Sequence, residues 1–250
     1  MRLPPAYTLL AQAHVRAAVR RDLIPALAPW LLAPALALPP DAEPIAGGRG
    51  AAYRVVLAGG IRAVVRLYRR GGLLARFVRE TYVGVRPRPL RELVLTDEAR
   101  RRGVAAVEVL AARVEGHFTY RGALVTAEVP GTMTLIEALR ARPDDGTRRA
   151  LAESTGRAVA AMHRAGVFHA DLNLTNILVH AEPPAVAAMV DFDRARLSSG
   201  LLASGARRRN LRRLWRSLGK LDPDGTLSGP RDVAAFRAAY GAAAGVPCAC

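Results

Sequence analysis

Between His169 and Asp193 the chain gathers groups suited to handling a phosphoryl group. The run His169-Ala170-Asp171-Leu172-Asn173-Leu174-Thr175-Asn176 leads into the apolar Ile177-Leu178-Val179, and Met189-Val190-Asp191-Phe192-Asp193 follows. An Asp, an Asn five residues later, a short strand and then a second Asp at a strand end is a spacing that suits phosphoryl transfer. The charge in that reaction spreads over phosphate oxygens, so a protein catalyses it mostly by positioning and electrostatic stabilisation. Mg2+ takes hard oxygen ligands, which a carboxylate and an amide provide. A second carboxylate must face the acceptor hydroxyl to orient it and take its proton.

The elements that would hold these groups can be read on either side. Residues 1–40 read as a helical, proline-broken segment, giving an N-terminal appendage over 1–44. From Gly47 the character changes. Residues 52–57 and 61–68 are β-branched runs separated by Ala58-Gly59-Gly60, a hairpin pattern. Pro87 and Pro89 precede a helix over 90–102 that Gly103 stops. Residues 104–114 and 118–129 read as two more strands, and Pro130-Gly131 as a hinge. Beyond it the pattern is helical: 135–140, a long helix over 147–165, the loop 168–176, strands at 177–180 and 186–190, and helices near 201–219 and 231–242. The expected architecture is α+β and bilobal, with a β-rich lobe over 45–129 and a mostly helical, shortened lobe over 130–250.

The motif pair resembles the protein-kinase-like superfamily, whose catalytic loop and metal-binding strand end share this spacing. That resemblance implies Asp171 as catalytic base, Asn176 and Asp191 as Mg2+ ligands, and His169 as the residue that holds the loop. It also gives positions to weaker signals. Arg66, in Ala63-Val64-Val65-Arg66, stands where kinases put a phosphate-contacting lysine; the one lysine, Lys220, comes after the metal motif. Arg offers a planar fork where Lys offers a point charge. Glu92 is placed to pair with it. Gly47, Gly48 and Gly50 suit a loop that covers the phosphates of ATP, although Tyr53 stands where a third glycine is usual. Ala170 replaces the arginine that reads activation-loop phosphorylation in many protein kinases. The short tail after Asp193 lacks an Ala-Pro-Glu motif, which favours a small-molecule or glycolipid acceptor.

More narrowly, Leu67-Tyr68-Arg69-Arg70-Gly71-Gly72-Leu73, Arg91-Glu92 and Asp191-Phe192-Asp193 resemble the 3-deoxy-D-manno-octulosonic acid (Kdo) kinases among the lipopolysaccharide core kinases, over about residues 45–220. The resemblance implies ATP-dependent phosphorylation of a Kdo hydroxyl on a Kdo-lipid A precursor, at the cytoplasmic face of the bacterial inner membrane. The alternatives are another core-heptose or small-molecule kinase of the same fold, and a non-catalytic kinase-like binding protein.

The composition fits that frame. The chain has 250 residues, 51% of them apolar, and a formal charge of +16, which excludes a disordered or polybasic tail. The excess is concentrated: residues 62–102 carry twelve Arg against four acids, and residues 194–216 carry eight Arg and no acid. Such faces suit an anionic partner, here a membrane surface to which the protein is peripheral or a phosphorylated ligand. With 5% aromatics and no nucleic-acid motif, nucleic acid is not the expected partner. Cys248 and Cys250 form no zinc ligand set. Pro25, Pro29 and Pro34 interrupt the apolar stretch 23–38, so no membrane-spanning helix is expected. In 207–221 an apolar stripe of Leu211, Leu214, Trp215, Leu218 and Leu221 leaves two readings open: a basic amphipathic helix lying on an anionic membrane, or a lobe helix packing its stripe inward.

Overall fold

The computed structural model describes residues 2–45, 51–68, 82–83, 87–116, 119–246 and 248. The chain divides into two compact units, one comprising Met1–Asp97 and Glu108–Glu128, the other Glu98–Val107 and Val129–Cys250.

The first unit is built on strands β1 (Tyr7–Gln12), β2 (Val15–Arg20), β3 (Glu43–Ile45), β4 (Ala51–Leu57), β5 (Ile61–Leu67), β6 (Tyr82–Val83), β7 (Val109–Gly116) and β8 (Thr119–Ala127), with helices α1 (Ile24–Leu31) and α2 (Arg88–Arg101). The strands form one antiparallel sheet in the order β1-β2-β7-β8-β5-β4-β3, with β6 on β8. The β4–β5 hairpin turns through Gly59 and Gly60, whose φ angles of 76° and 72° suit glycine. Alternation then sorts side chains between the two faces of the sheet. Ala17, Val19, Val55, Leu57, Ala63, Val65 and Val125 pack with Leu27 and Leu31 of α1. Ala18, Ala112, Val114, Tyr120 and Leu124 pack with Leu90 and Leu93 of α2. Helix α2 sits close because β8 carries Gly122: a Cβ there would lie 2.5 Å from Pro89 Cγ.

The reading of residues 1–40 as a helical appendage is corrected here. They form the β1–β2 hairpin and α1, and β2 pairs with β7 along Val15–Val19, inside the sheet. Alternation is weak in Val15-Arg16-Ala17-Ala18-Val19 because Ala17, Ala18 and Val19 are all buried, so the segment lacks the period-two pattern of a half-exposed strand.

The second unit contains β9 (Thr132–Thr134), α3 (Leu135–Arg140), α4 (Asp145–Arg164), β10 (Val167–Phe168), β11 (Ile177–His180), β12 (Ala185–Met189), β13 (Arg196–Leu197), α5 (Ser204–Leu221) and α6 (Pro230–Ala244). Local chemistry sets several ends. Thr134 and Glu137 form a reciprocal cap on α3. The Asp144 carboxylate accepts from the N–H groups of Gly146 and Thr147 at the start of α4, and Gly166, at φ 71°, turns the chain out of it. Antiparallel β12, β11 and β9 make a small sheet, and residue 106 adds a bridge to Met189. The stripe of α5 faces inward: Leu211 and Leu214 are buried, and Trp215 stacks edge-on against Phe236 of α6 at 4.9 Å. The inward-packing reading of 207–221 is the one observed.

Candidate active site

The loop from His169 to Asn176 is anchored by alternate burial. His169 and Leu172 are inaccessible and Leu174 is buried, whereas Asp171 is turned outward with its side chain 55% exposed. Asn173 organises the turn that follows: its Oδ1 accepts from Thr175 N at 2.9 Å and Asn176 N at 3.1 Å, which caps the 3-10 turn Leu174–Asn176. The backbone carbonyl of Asp171 accepts from both Asn173 Nδ2 (3.1 Å) and Asn176 Nδ2 (2.9 Å). With its amide nitrogen so committed, Asn176 has its side-chain oxygen, a hard donor, left to offer a cation.

Strand pairing brings Asn176 and Asp191 to one end of a hairpin. Ile177 lies opposite Met189 across β11–β12, and Val190 N donates to Asn176 O at 3.0 Å. Asp191 follows directly, held at φ 68°, a left-handed conformation that costs a non-glycine residue on the order of 1–3 kcal/mol and is characteristic of functional sites. His169 ties loop to hairpin. Its Nε2–H donates to Val190 O at 2.9 Å and its Nδ1 accepts from Asp171 N at 3.2 Å, which specifies the neutral tautomer. Burial pushes its pKa down, opposed by the bond to Val190 and the charges of Asp191 and Asp171. Phe192, also inaccessible, packs on the ring at 4.7 Å.

Behind the loop stands Asn210 of α5, which the sequence reading passed over. Its Nδ2 donates to His169 O at 2.6 Å while its Oδ1 accepts from His169 N at 3.2 Å, as a neighbouring strand would. The same oxygen receives His163 Nε2 at 3.2 Å, and His163 Nδ1 accepts from the Tyr240 hydroxyl at 2.8 Å. Burial lowers the His163 pKa to about 4, the bond to Asn210 opposing and the Arg207 charge assisting. Helices α4 and α6 approach closely enough to make this relay because of Gly156, where a Cβ would meet Phe236 O at 2.5 Å. A polar residue beside Leu211 and Leu214 in an inward-facing stripe was the available signal. Arg213, also on α5, reaches Asp171 Oδ1 with Nη1 at 2.9 Å.

In the first unit Arg66 and Glu92 pair. The Arg66 guanidinium on β5 meets the buried Glu92 carboxylate of α2, which also accepts from the Tyr68 hydroxyl. Arg66 Nη2 donates to that hydroxyl oxygen at 3.1 Å, and its Cζ lies 4.9 Å from the ring centroid of Tyr68. Tyr68, two positions on and therefore on the same side of the strand, was legible from period two but went unread. Gly47, Gly48 and Gly50 lie outside the described residues, as do residues 69–73.

A family model described as "Lipopolysaccharide kinase (Kdo/WaaP) family" matches residues 46–240. The chain belongs to the Kdo/WaaP family. Among the family's curated proteins, a 3-deoxy-D-manno-octulosonic acid kinase of Xylella fastidiosa (strain M12) is 36% identical over 205 residues, covering 80% of this chain and 79% of the relative. One of the same name from Xanthomonas campestris pv. campestris (strain B100) is 38% identical over 179 residues, 70% of this chain and 68% of the relative. A solved structure of WaaP in complex with acyl carrier protein aligns with a TM-score of 0.54 and 23% identity, covering 81% of this chain and 78% of that one. This likeness shows the fold, the α+β kinase-like one expected from the motif pair. Kdo/WaaP membership makes the chain a phosphotransferase with a hydroxyl acceptor and ATP as the implied phosphoryl donor.

Proposed function

We propose that this protein transfers the γ-phosphoryl group of ATP to a hydroxyl of Kdo in the lipopolysaccharide inner core, on a Kdo-lipid A precursor. The observation that carries the reading is the similarity to proteins named 3-deoxy-D-manno-octulosonic acid kinase across more than two thirds of both chains. The geometry supports it: a carboxylate stands outward on a loop whose neighbours are buried and doubly bonded. Asp171 orients the acceptor hydroxyl and takes its proton as the oxygen attacks the γ-phosphorus; the bond to the β-phosphate oxygen breaks and ADP leaves. Arg66, held by Glu92 and Tyr68, presents its guanidinium to nucleotide phosphates.

The Asn176 oxygen and the Asp191 carboxylate would hold Mg2+. An ion held by these two side chains would supply positive charge against the phosphates. Among the described residues no group of three His, Cys, Asp or Glu side chains could hold a metal. Among them, too, no helix is long and apolar enough to cross a membrane; the protein acts peripherally at the cytoplasmic face of the inner membrane. The deciding experiment is mass spectrometry of Kdo-lipid A precursor after incubation with the protein and Mg-ATP. One phosphate gained on Kdo is the expected result. No gain on Kdo, or a gain on a heptose-bearing acceptor instead, would overturn the reading.

A further inference from the structure

Helix α5 has two unlike sides. Asn210, Leu211 and Leu214 face inward. On the opposite side Arg209, Arg213, Arg216 and Lys220 recur every three or four residues, all exposed, with Arg212 beside them. Residues at that spacing lie in one line along a helix, and 209 to 220 spans about 16 Å at the usual rise. The helix contains no acidic residue. Arg209, Arg212, Arg216 and Lys220 have no ion-pair partner among the described residues. Like charges one turn apart repel, so a cost built into this face is relieved when an anion lies along it. The line is extended by Arg196, which shares the ring of Phe168 with Arg209, their Cζ atoms 4.7 and 5.9 Å from its centroid.

The line also has a fixed point. Arg213, within it, is bonded to Asp171 Oδ1, so cations lie to both sides of the candidate base. Arg carries five N–H donors; one holds Asp171, and others remain for a second anion.

We propose that this face of α5 is the docking surface for the acceptor, and that it reads the acceptor's own anionic groups, its sugar carboxylate and phosphates, rather than the charge of the surrounding bilayer. The proposal rests on the reading above, in which Asp171 meets the acceptor hydroxyl. Two features select the acceptor over the bilayer. An interfacial helix anchors by burying an apolar face in lipid, and the apolar face of α5 is already inside the protein. A row of charges fixed at one point to a single carboxylate also matches a ligand whose anions lie at set distances from one hydroxyl.

The test is direct binding, which does not depend on turnover. Kdo-lipid A precursor bearing both phosphates, dispersed in neutral detergent micelles, is titrated into the wild-type chain and into Arg209→Gln/Arg216→Gln/Lys220→Gln. The triple variant should bind about tenfold or more weakly at low salt, with the gap narrowing as salt screens exposed charges. Its deficit on the phosphatase-treated lipid, which keeps only the sugar carboxylate, should be clearly smaller, with unchanged ATP affinity and Tm. The proposal is overturned if the triple variant matches wild type on the phosphorylated lipid in micelles and loses only its binding to anionic vesicles. It is equally overturned if both lipids weaken alike, or if the wild type does not bind the lipid. Intact binding without phosphate transfer to Kdo would instead refute the proposed function and leave this surface standing.

Discussion

Replacing Asn210 by Leu, a side chain of similar shape, tests whether α5 holds the catalytic loop. The substitution removes three hydrogen bonds: two to the backbone of His169, at 2.6 and 3.2 Å, and one from His163 at 3.2 Å. All the groups involved are inaccessible, so His169 N–H, His169 C=O and His163 Nε2–H lose partners that water cannot replace. Each orphaned group costs about 1–3 kcal/mol, and the added apolar burial of Leu returns part, so a net loss of about 3–5 kcal/mol follows. Against a typical total of about 5–15 kcal/mol this is a large, measurable fraction. Urea titration should show a lowered midpoint with an unchanged slope, and amide exchange at His169 should accelerate. Because Asp171 lies two residues along, kcat should fall while ATP affinity changes little. A loss below about 1 kcal/mol for the Leu variant, or a destabilised enzyme with unaltered kcat, would refute the argument that α5 positions the loop.

Other outcomes are expected from the same geometry. Asp191→Asn should lower kcat by on the order of 100-fold or more without unfolding the chain, since an amide cannot supply the negative charge; near-normal turnover in a folded variant removes the metal assignment. For Arg66→Gln and Glu92→Gln, the double variant should lose less kcat/KM than the two losses combined, with a coupling of about 1–3 kcal/mol; strict additivity would mean the residues act separately. His163 titrates at about 4 when folded and near 6.5 when unfolded, so between those values the unfolded chain holds the extra proton. Stability should therefore be intact above about pH 6.5 and fall by about 3 kcal/mol toward pH 4, a slope that His163→Gln should flatten.

The motif carrying the chemistry was legible because its spacing is dictated by a turn and a strand pair: Asn176 and Asp191 must sit at the same end of β11–β12 if Ile177 pairs with Met189. The β4–β5 hairpin and α2 were legible from turn glycines and from the prolines before residue 90, although Pro89 proved to lie within the first turn of the helix. What escaped was set by tertiary context. Ala17 and Ala18 carry no strand preference of their own, and only the neighbours β1 and β7 make them strand. Asn210 reads as one more polar residue among arginines until α4, α6 and the loop converge on it. Arg113 of β7 was hidden in the same way. Its guanidinium is inaccessible and donates to Ala33 O at 2.9 Å and to Glu115, tying the chain after α1 to the sheet.

The place of β2 bears on where this protein can be cut. The family match begins at residue 46, yet β7, at the heart of the first sheet, is paired on one side by β2. A fragment trimmed to the recognisable family region would strip β7 of that neighbour and Val55, Val65 and Val125 of the cover of α1. The trimmed molecule would present an eight-residue strand, buried from Val109 to Val114, as a raw edge, an invitation to pair with another copy. The family match and the sheet thus draw different borders on this chain: residues ahead of the match cover a strand edge inside it.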